Sequence, residues 1–317
     1  MAGSRADVTI VDGGPRDGLS AVSEQVLTAD KIRLINGLAK SGITKIDCVA
    51  FTHPRLIPKN SDAEEVMAKL EKTPGVTYVG LGPSEIGCRR AVLTDIDEIL
   101  TLVAASEEFN RAALGLGVQE SLNKALPTIF EAASKGGKSI RAYVLAAFGC
   151  PYSGKVRLNE VIELVSRLCF MGANEISLLD STGMADPIQV KEMLGELLGL
   201  NLSVNLAVHF HDTRGTGLVN CVAAYKAGIR IFDTAIGGLS GTPFGAPKLD
   251  MGFWNIPTED LVHLFEQMGV NTGVDLGLLL ECVELGEDLA GRSLPGHILS
   301  TGPKSKLAKI PERLKLR

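Results

Sequence analysis

Short runs rich in β-branched and other apolar residues alternate along the chain with longer stretches whose apolar positions recur at helical spacing. Eight of the short runs read as strands: Val8–Gly13, Lys45–Phe51, Val76–Leu81, Glu98–Ala104, Ser139–Ala147, Glu175–Asp180, Leu206–Asp212 and Ile231–Gly237. Helix-like sequence follows each one, and successive starts lie about 30 residues apart, the length of a βα repeat. Eight repeats is the count of a closed parallel barrel, so the pattern predicts an α/β fold, a (β/α)8 TIM barrel. Helix boundaries are also marked. Thr28 reads as the N-cap of Ala29–Ser41, which stops at Gly42. Asp186-Pro187 opens another helix, and Thr258-Glu259-Asp260 starts the one after the last strand. From about Asp275 the pattern gives one extra C-terminal helix and then a polar tail. No composition break divides the chain, so residues 1–317 are expected to form a single domain.

The rival architecture is an open doubly wound sheet, which usually carries G-x-G-x-x-G after its first strand. Here that turn reads Gly13-Gly14-Pro15-Arg16-Asp17-Gly18 and lacks the pattern. With 45% hydrophobic and 22% charged residues the chain has material for a large core. The net charge of −5 argues against nucleic acid or an anionic membrane as partner. Lys304 to Arg317 is basic and reads as a solvated tail. Six cysteines are scattered without C-x-x-C pairs, which implies free thiols in a reducing compartment. No signal-like or membrane-spanning run is present, so the expected location is cytoplasmic.

In such barrels the chemistry lies at the C-terminal ends of the strands. The polar residues there are Asp12, Arg16 and Asp17 after strand one, and Asp47 on strand two if its middle faces inward. Asp180-Ser181-Thr182 ends strand six, and His209-Phe210-His211-Asp212 ends strand seven. On a strand, residues i and i+2 share a face, so His209 and His211 turn to the mouth together. They are either two ligands of one metal or two histidines lining a polar pore. Two imidazoles plus oxygens, such as Asp17 and an amide, suit a Lewis-acid ion: Mg2+ or Mn2+, with Zn2+ also possible. Arg16 offers a guanidinium for an anion that develops during reaction, or else closes a turn with Asp17. Asp12 and Asp47 are site carboxylates or structural acceptors, and Asp180 faces the site or caps the following turn.

These residues resemble the hydroxymethylglutaryl-CoA lyases, relatives of the isopropylmalate and citramalate synthases and of pyruvate-dependent aldolases. The resemblance rests on Gly14-Pro15-Arg16-Asp17-Gly18-Leu19, Ala104-Ala105-Ser106-Glu107 and Gly149-Cys150-Pro151-Tyr152 with Gly154-Lys155. It continues through Glu175-Ile176-Ser177 before Asp180, His209-x-His211-Asp212-Thr213, and Asn255 before Thr258-Glu259-Asp260-Leu261-Val262. It implies a metal held by Asp17, His209, His211 and Asn255, with Arg16 and Asp17 as catalytic groups; Asp47 and Asp180 join the catalytic set from their places on strands two and six. The implied reaction cleaves a 3-hydroxy-3-methylglutaryl-CoA-like thioester to acetyl-CoA and a 3-oxo acid. Arg16 would lie by the thioester carbonyl. An acyl-CoA substrate and a homodimer are the implied partners.

Three departures bear on the substrate. Thr242 stands where the family carries a cysteine, a candidate general acid, in a loop that is longer here and carries Lys248. Family glutamates are shortened to Asp12 and Asp47, and family asparagines are replaced by Ala113 and Gly115. The expectation is a related acyl-CoA lyase with a bulkier or more apolar 3-substituent. The alternatives are a Claisen- or aldol-type condensing enzyme and, outside catalysis, a degenerate barrel that only binds.

Overall fold

All eight runs form strands in the computed structural model, which describes residues 6–20, 22, 25–55, 57–240 and 254–306. The strands are β1 (Thr9–Asp12), β2 (Lys45–Ala50), β3 (Thr77–Leu81), β4 (Glu98–Ala104), β5 (Ser139–Leu145), β6 (Glu175–Asp180), β7 (Asn205–Phe210) and β8 (Ile231–Thr234). Each pairs in parallel with the next, and β8 returns to β1 through Thr9↔Ile231 to Asp12↔Thr234, which closes the barrel. Helices on the outside cover the strands, so the strands are buried on both faces and read as apolar runs rather than alternating ones. β5 stops two residues before its predicted end because Ala146 turns to φ 53°, the left-handed region. β7 ends at Phe210, and His211 continues as a single antiparallel bridge to Asn255.

Helix starts follow the sequence with one correction. Asp186 caps Pro187–Gly199 by accepting the N–H groups of Ile188 and Gln189, and Asp275 caps Leu276–Ala290 in the same way. Thr28 is no cap: it is the first residue of Thr28–Lys40, and its hydroxyl donates to Asp62 at 2.9 Å. The extra C-terminal helix, Leu276–Ala290, packs on Thr28–Lys40. A further short helix, His297–Thr301, follows; Asp260 accepts the backbone N–H of His297 and bonds its Nδ1 at 2.8 Å.

The lower barrel interior is charged. Lys45 of β2 pairs with Glu98 of β4 at 2.6 Å and Glu175 of β6 at 3.0 Å. Arg141 of β5 pairs with Glu175 and with Asp233 of β8, both at 2.6 Å. Strands that are not neighbours are thus joined across the interior. All five side chains are buried, where a charge persists only if it is paired.

Candidate active site

The segment after β1 makes one wide helical turn, Gly14–Gly18, in which the Asp17 and Gly18 N–H groups both donate to the Gly13 carbonyl. Close packing fixes its glycines. A Cβ on Gly14 would lie 2.8 Å from Asp12 Oδ1 and from Ile236, and one on Gly18 would lie 2.7 Å from Leu239. Asp12 clamps this turn from below: its carboxylate accepts the Gly14 N–H at 2.8 Å and the Thr258 hydroxyl at 2.6 Å. Burial raises Asp12 to about 6. It is a structural acceptor and lies away from the cavity lining.

The turn presents Arg16 and Asp17 at the mouth. Arg16 donates through Nε (2.9 Å) and Nη2 to one oxygen of the buried Asp47, and through Nη1 to Asp17 at 3.1 Å. Burial opposes the charge on Arg16, but Asp47 and Asp17 more than offset it and hold the guanidinium protonated. Asp47 sits just before a break in β2–β3 register, between Asp47 and Val49, and does not line the cavity. Its place is behind Arg16, which it orients.

His209 and His211 share the expected face. Their rings stack with centroids 5.0 Å apart. His211 Nδ1 donates to the Asp180 backbone carbonyl at 2.9 Å, which leaves the Nε2 lone pair toward the mouth. Burial, aided by His209, lowers His211 to about 4, so it is neutral near pH 7. His209 Nε2 donates to Asn255 Oδ1 at 2.7 Å, and Asn255 Nδ2 donates to Asp17 Oδ2 at 2.9 Å and to the Leu239 carbonyl at 2.8 Å. Burial pushes Asp17 up, yet Arg16, His209 and Asn255 together hold it below the usual carboxylate range. Asp180 is placed differently. Its carboxylate accepts the N–H groups of Met184 (2.7 Å) and Ala185 (3.0 Å), so it caps the turn after β6 and offers only its backbone carbonyl to the site.

A small cavity of about 40 Å3 opens among Arg16, Asp17, His209, His211, Ser181, Tyr143 and three leucines, Leu102, Leu145 and Leu179. The donor types suit a hard or borderline divalent ion: one anionic carboxylate, one neutral imidazole with its lone pair inward, a second imidazole and an amide oxygen. As placed, the described residues hold no ready-made group of three His, Cys, Asp or Glu ligands; the Asn255 amide lies between Asp17 and His209. One orphan atom fits a metal ligand. His209 Nδ1 has no hydrogen-bond partner, and Asp233 Oδ2 stands 3.8 Å from it. Ser177 (2.6 Å) and Arg141 fix that carboxylate. Ligation through Nε2 would require the proton that Nε2 gives Asn255 in this structure to move to Nδ1, where a carboxylate is the usual outer partner.

Asp233, Tyr143 and the leucines went unread in the sequence. Tyr143 lies edge-on to His209 with centroids 5.7 Å apart. Asp233 sits mid-strand in β8, where only its burial and the Arg141 pair betray a role. Thr242 and Lys248 fall outside the described residues. Ala113 and Gly115 close the helix Glu107–Leu114, with Gly115 as its left-handed stop.

A closed parallel barrel with a guanidinium, a carboxylate and paired imidazoles converging at the C-terminal mouth defines a barrel enzyme of the strand-end type. Comparison narrows this further. The HMGL-like family matches residues 7–285, and the chain belongs to that family. It is 39% identical to a hydroxymethylglutaryl-CoA lyase of Bacillus subtilis, over 92% of this chain and 96% of that one. It is 37% identical to the human mitochondrial hydroxymethylglutaryl-CoA lyase, over 86% and 83% of the two chains. A solved HMG-CoA lyase of Acinetobacter baumannii, in complex with coenzyme A and 3-methylmalate, superposes with TM-score 0.88 at 36% identity, covering 96% and 98%. Among the described residues no helix is long and apolar enough to cross a membrane.

Proposed function

We propose that the chain is a carbon–carbon lyase that cleaves a 3-hydroxy-3-methylglutaryl-CoA-like thioester into acetyl-CoA and a 3-oxo acid. The observation that carries this reading is Arg16, fixed by the buried Asp47 beside the anionic Asp17 and two stacked imidazoles in one cavity. The residues that would hold a divalent ion, Mg2+ or Mn2+, are Asp17, His209, His211 and Asn255. When bound, the ion supplies Lewis acidity toward the tertiary hydroxyl and carboxylate of the substrate.

The chain's own groups account for the rest. Asp17 is the carboxylate that lines the cavity among the described residues, and it stands ready to take the hydroxyl proton. As that proton leaves, the C–O bond becomes a carbonyl and the neighbouring C–C bond breaks. The electron pair passes to the acetyl-CoA enolate. Arg16 meets the enolate oxygen with a charge already oriented, so little reorganisation is needed when the anion forms. Protonation of the enolate carbon completes acetyl-CoA. Family membership and the relative solved with coenzyme A support a thioester substrate.

The test incubates the protein and Mg2+ or Mn2+ with 3-hydroxy-3-methylglutaryl-CoA and 3-alkyl homologues, and measures acetyl-CoA. Release of one acetyl-CoA per 3-oxo acid is expected. Intact thioester under every condition would remove the proposal.

A further inference from the structure

The two imidazoles are set in opposite ways. His211 already carries its proton on Nδ1, against the Asp180 carbonyl, with Nε2 left toward the mouth. His209 spends Nε2 on Asn255 (2.7 Å), and Asn255 Nδ2 donates to Asp17 (2.9 Å). Three of the four proposed ligands are therefore tied to one another. His209 Nδ1 is buried without a partner. Beside it stands Asp233, the register neighbour of His209 across β7 and β8, with Oδ2 3.8 Å from that nitrogen.

A carboxylate inside a barrel persists only if it is paired. Arg141 of β5 holds Asp233 Oδ1 at 2.6 Å, and Ser177 of β6 donates to Oδ2 at 2.6 Å. Each oxygen of an ionised carboxylate accepts about two hydrogen bonds, so Oδ2 retains capacity for the Nδ1 proton. The support is itself fixed. Arg141 is fully buried and pairs with Glu175 at 2.6 Å. The Tyr143 ring centre lies 5.1 Å from its guanidinium carbon and 5.7 Å from the His209 ring centre. Resting on the metal reading above, we propose that Asp233 is a positioning residue for His209, whose carboxylate selects the imidazole with its proton on Nδ1. The ring gives up the Nε2 proton and gains one on Nδ1, with no change in charge. The gap to Oδ2 closes by about 1 Å to hydrogen-bond length through a tilt of the ring. That one exchange unties the His209–Asn255 bond and turns both Nε2 and Asn255 Oδ1 into free donors of electron pairs. Arg141 and Ser177 act one step further out, by holding the carboxylate where the proton must arrive. His211 needs no such partner, because a backbone carbonyl already serves it.

The test follows the ring directly. In protein labelled with 15N-histidine, long-range proton–nitrogen spectra show which ring nitrogen carries the proton. Metal-free wild type should show His209 protonated on Nε2, and the Mg2+-loaded protein should show it protonated on Nδ1. Asp233→Asn keeps the size of the side chain and removes its charge. It should lower Mn2+ affinity in a binding titration by about 10–100-fold, with kcat recovered at saturating Mn2+, a rescue that lost structure would not permit. Ser177→Ala leaves the carboxylate but loosens it, and should lower the affinity by a smaller factor. His209 still protonated on Nε2 in Mg2+-loaded wild type would overturn the proposal whether or not the variants fold. So would a wild-type Mn2+ affinity in folded Asp233→Asn. A wild-type protein that binds neither Mn2+ nor Mg2+ would instead overturn the metal reading, and this inference with it.

Discussion

Arg16 is gripped mainly by Asp47, and removing that grip should be felt in stability and turnover at once. In Asp47→Ala the guanidinium loses both bonds to Asp47 and keeps only Asp17, at 3.1 Å. Arg16 and Asp47 are 7% and 1% exposed, so water offers little compensation. Removing one member of a buried ion pair costs about 3–5 kcal/mol, a large share of the roughly 5–15 kcal/mol that holds a domain folded. With a urea slope of about 3 kcal/mol per molar, the unfolding midpoint should fall by about 1 M or more. Asp47→Asn keeps an oxygen and the shape but loses the charge, so about 1.5–3 kcal/mol is expected. Turnover should follow the same order. A guanidinium drawn toward Asp17 no longer faces the developing enolate, and loss of one such donor typically costs roughly 10²–10³ in kcat. KM should move little, because the interaction strengthens only as the anion forms. Urea titration and steady-state kinetics of the two variants read this directly. An Asp47→Ala protein with the wild-type midpoint and turnover would refute the reasoning. A raised KM at unchanged kcat would show instead that Arg16 only binds substrate.

Chelation should abolish cleavage, and His211→Ala should abolish it and also lower Mn2+ affinity in a binding titration, while the circular dichroism spectrum persists in both; full turnover in chelator-treated enzyme would rule out a metal-dependent reaction. Burial raises Glu259 to about 8, with Oε2 accepting the Gly237 N–H and Oε1 unpartnered. A carboxyl raised on folding binds more protons in the native state, so its contribution falls as pH rises from its unfolded value through about 8. Glu259→Gln should therefore be more stable than wild type at pH 9 relative to pH 5 by thermal melts, and parallel pH curves for the two would show that Glu259 does not titrate in this range. Thr242 is a poor acid beside a thiol. Thr242→Cys should leave hydroxymethylglutaryl-CoA cleavage within a few-fold; a many-fold gain would mean that the missing thiol alone limits the enzyme.

The barrel was legible because parallel strands bury both faces and stand out as apolar runs between helical stretches. Glu98–Ala104 and Glu175–Asp180 match their strands to the residue, whereas β5 is shortened by the left-handed Ala146, which no apolar pattern announces. The paired histidines were legible from two-residue spacing alone. Asn255 was reached only through resemblance, since its place depends on a chain return that bridges His211 some forty residues later. The direction of a carboxylate was illegible. Asp180 sits at a strand end like a catalytic residue, yet its oxygens face the N–H groups of Met184 and Ala185. Asp233 and the three leucines are hidden for a related reason: in a strand buried on both sides, hydrophobicity does not tell inward from outward.

The charged interior also divides the barrel into halves. Within the first four strands Lys45 answers Glu98, and within the last four Arg141 answers Glu175 and Asp233. Lys45 to Glu175 is the ion pair of this interior network that spans the two groups. A chain divided in the Ala104–Ser139 connection would leave Lys45 with Glu98 in one fragment and Arg141 with two carboxylates, Glu175 and Asp233, in the other, an excess of one negative charge that Lys45 meets when the halves join. The halves are thus complementary electrostatic units, keyed to each other by a single lysine, and the closed cylinder is the state in which that key is turned.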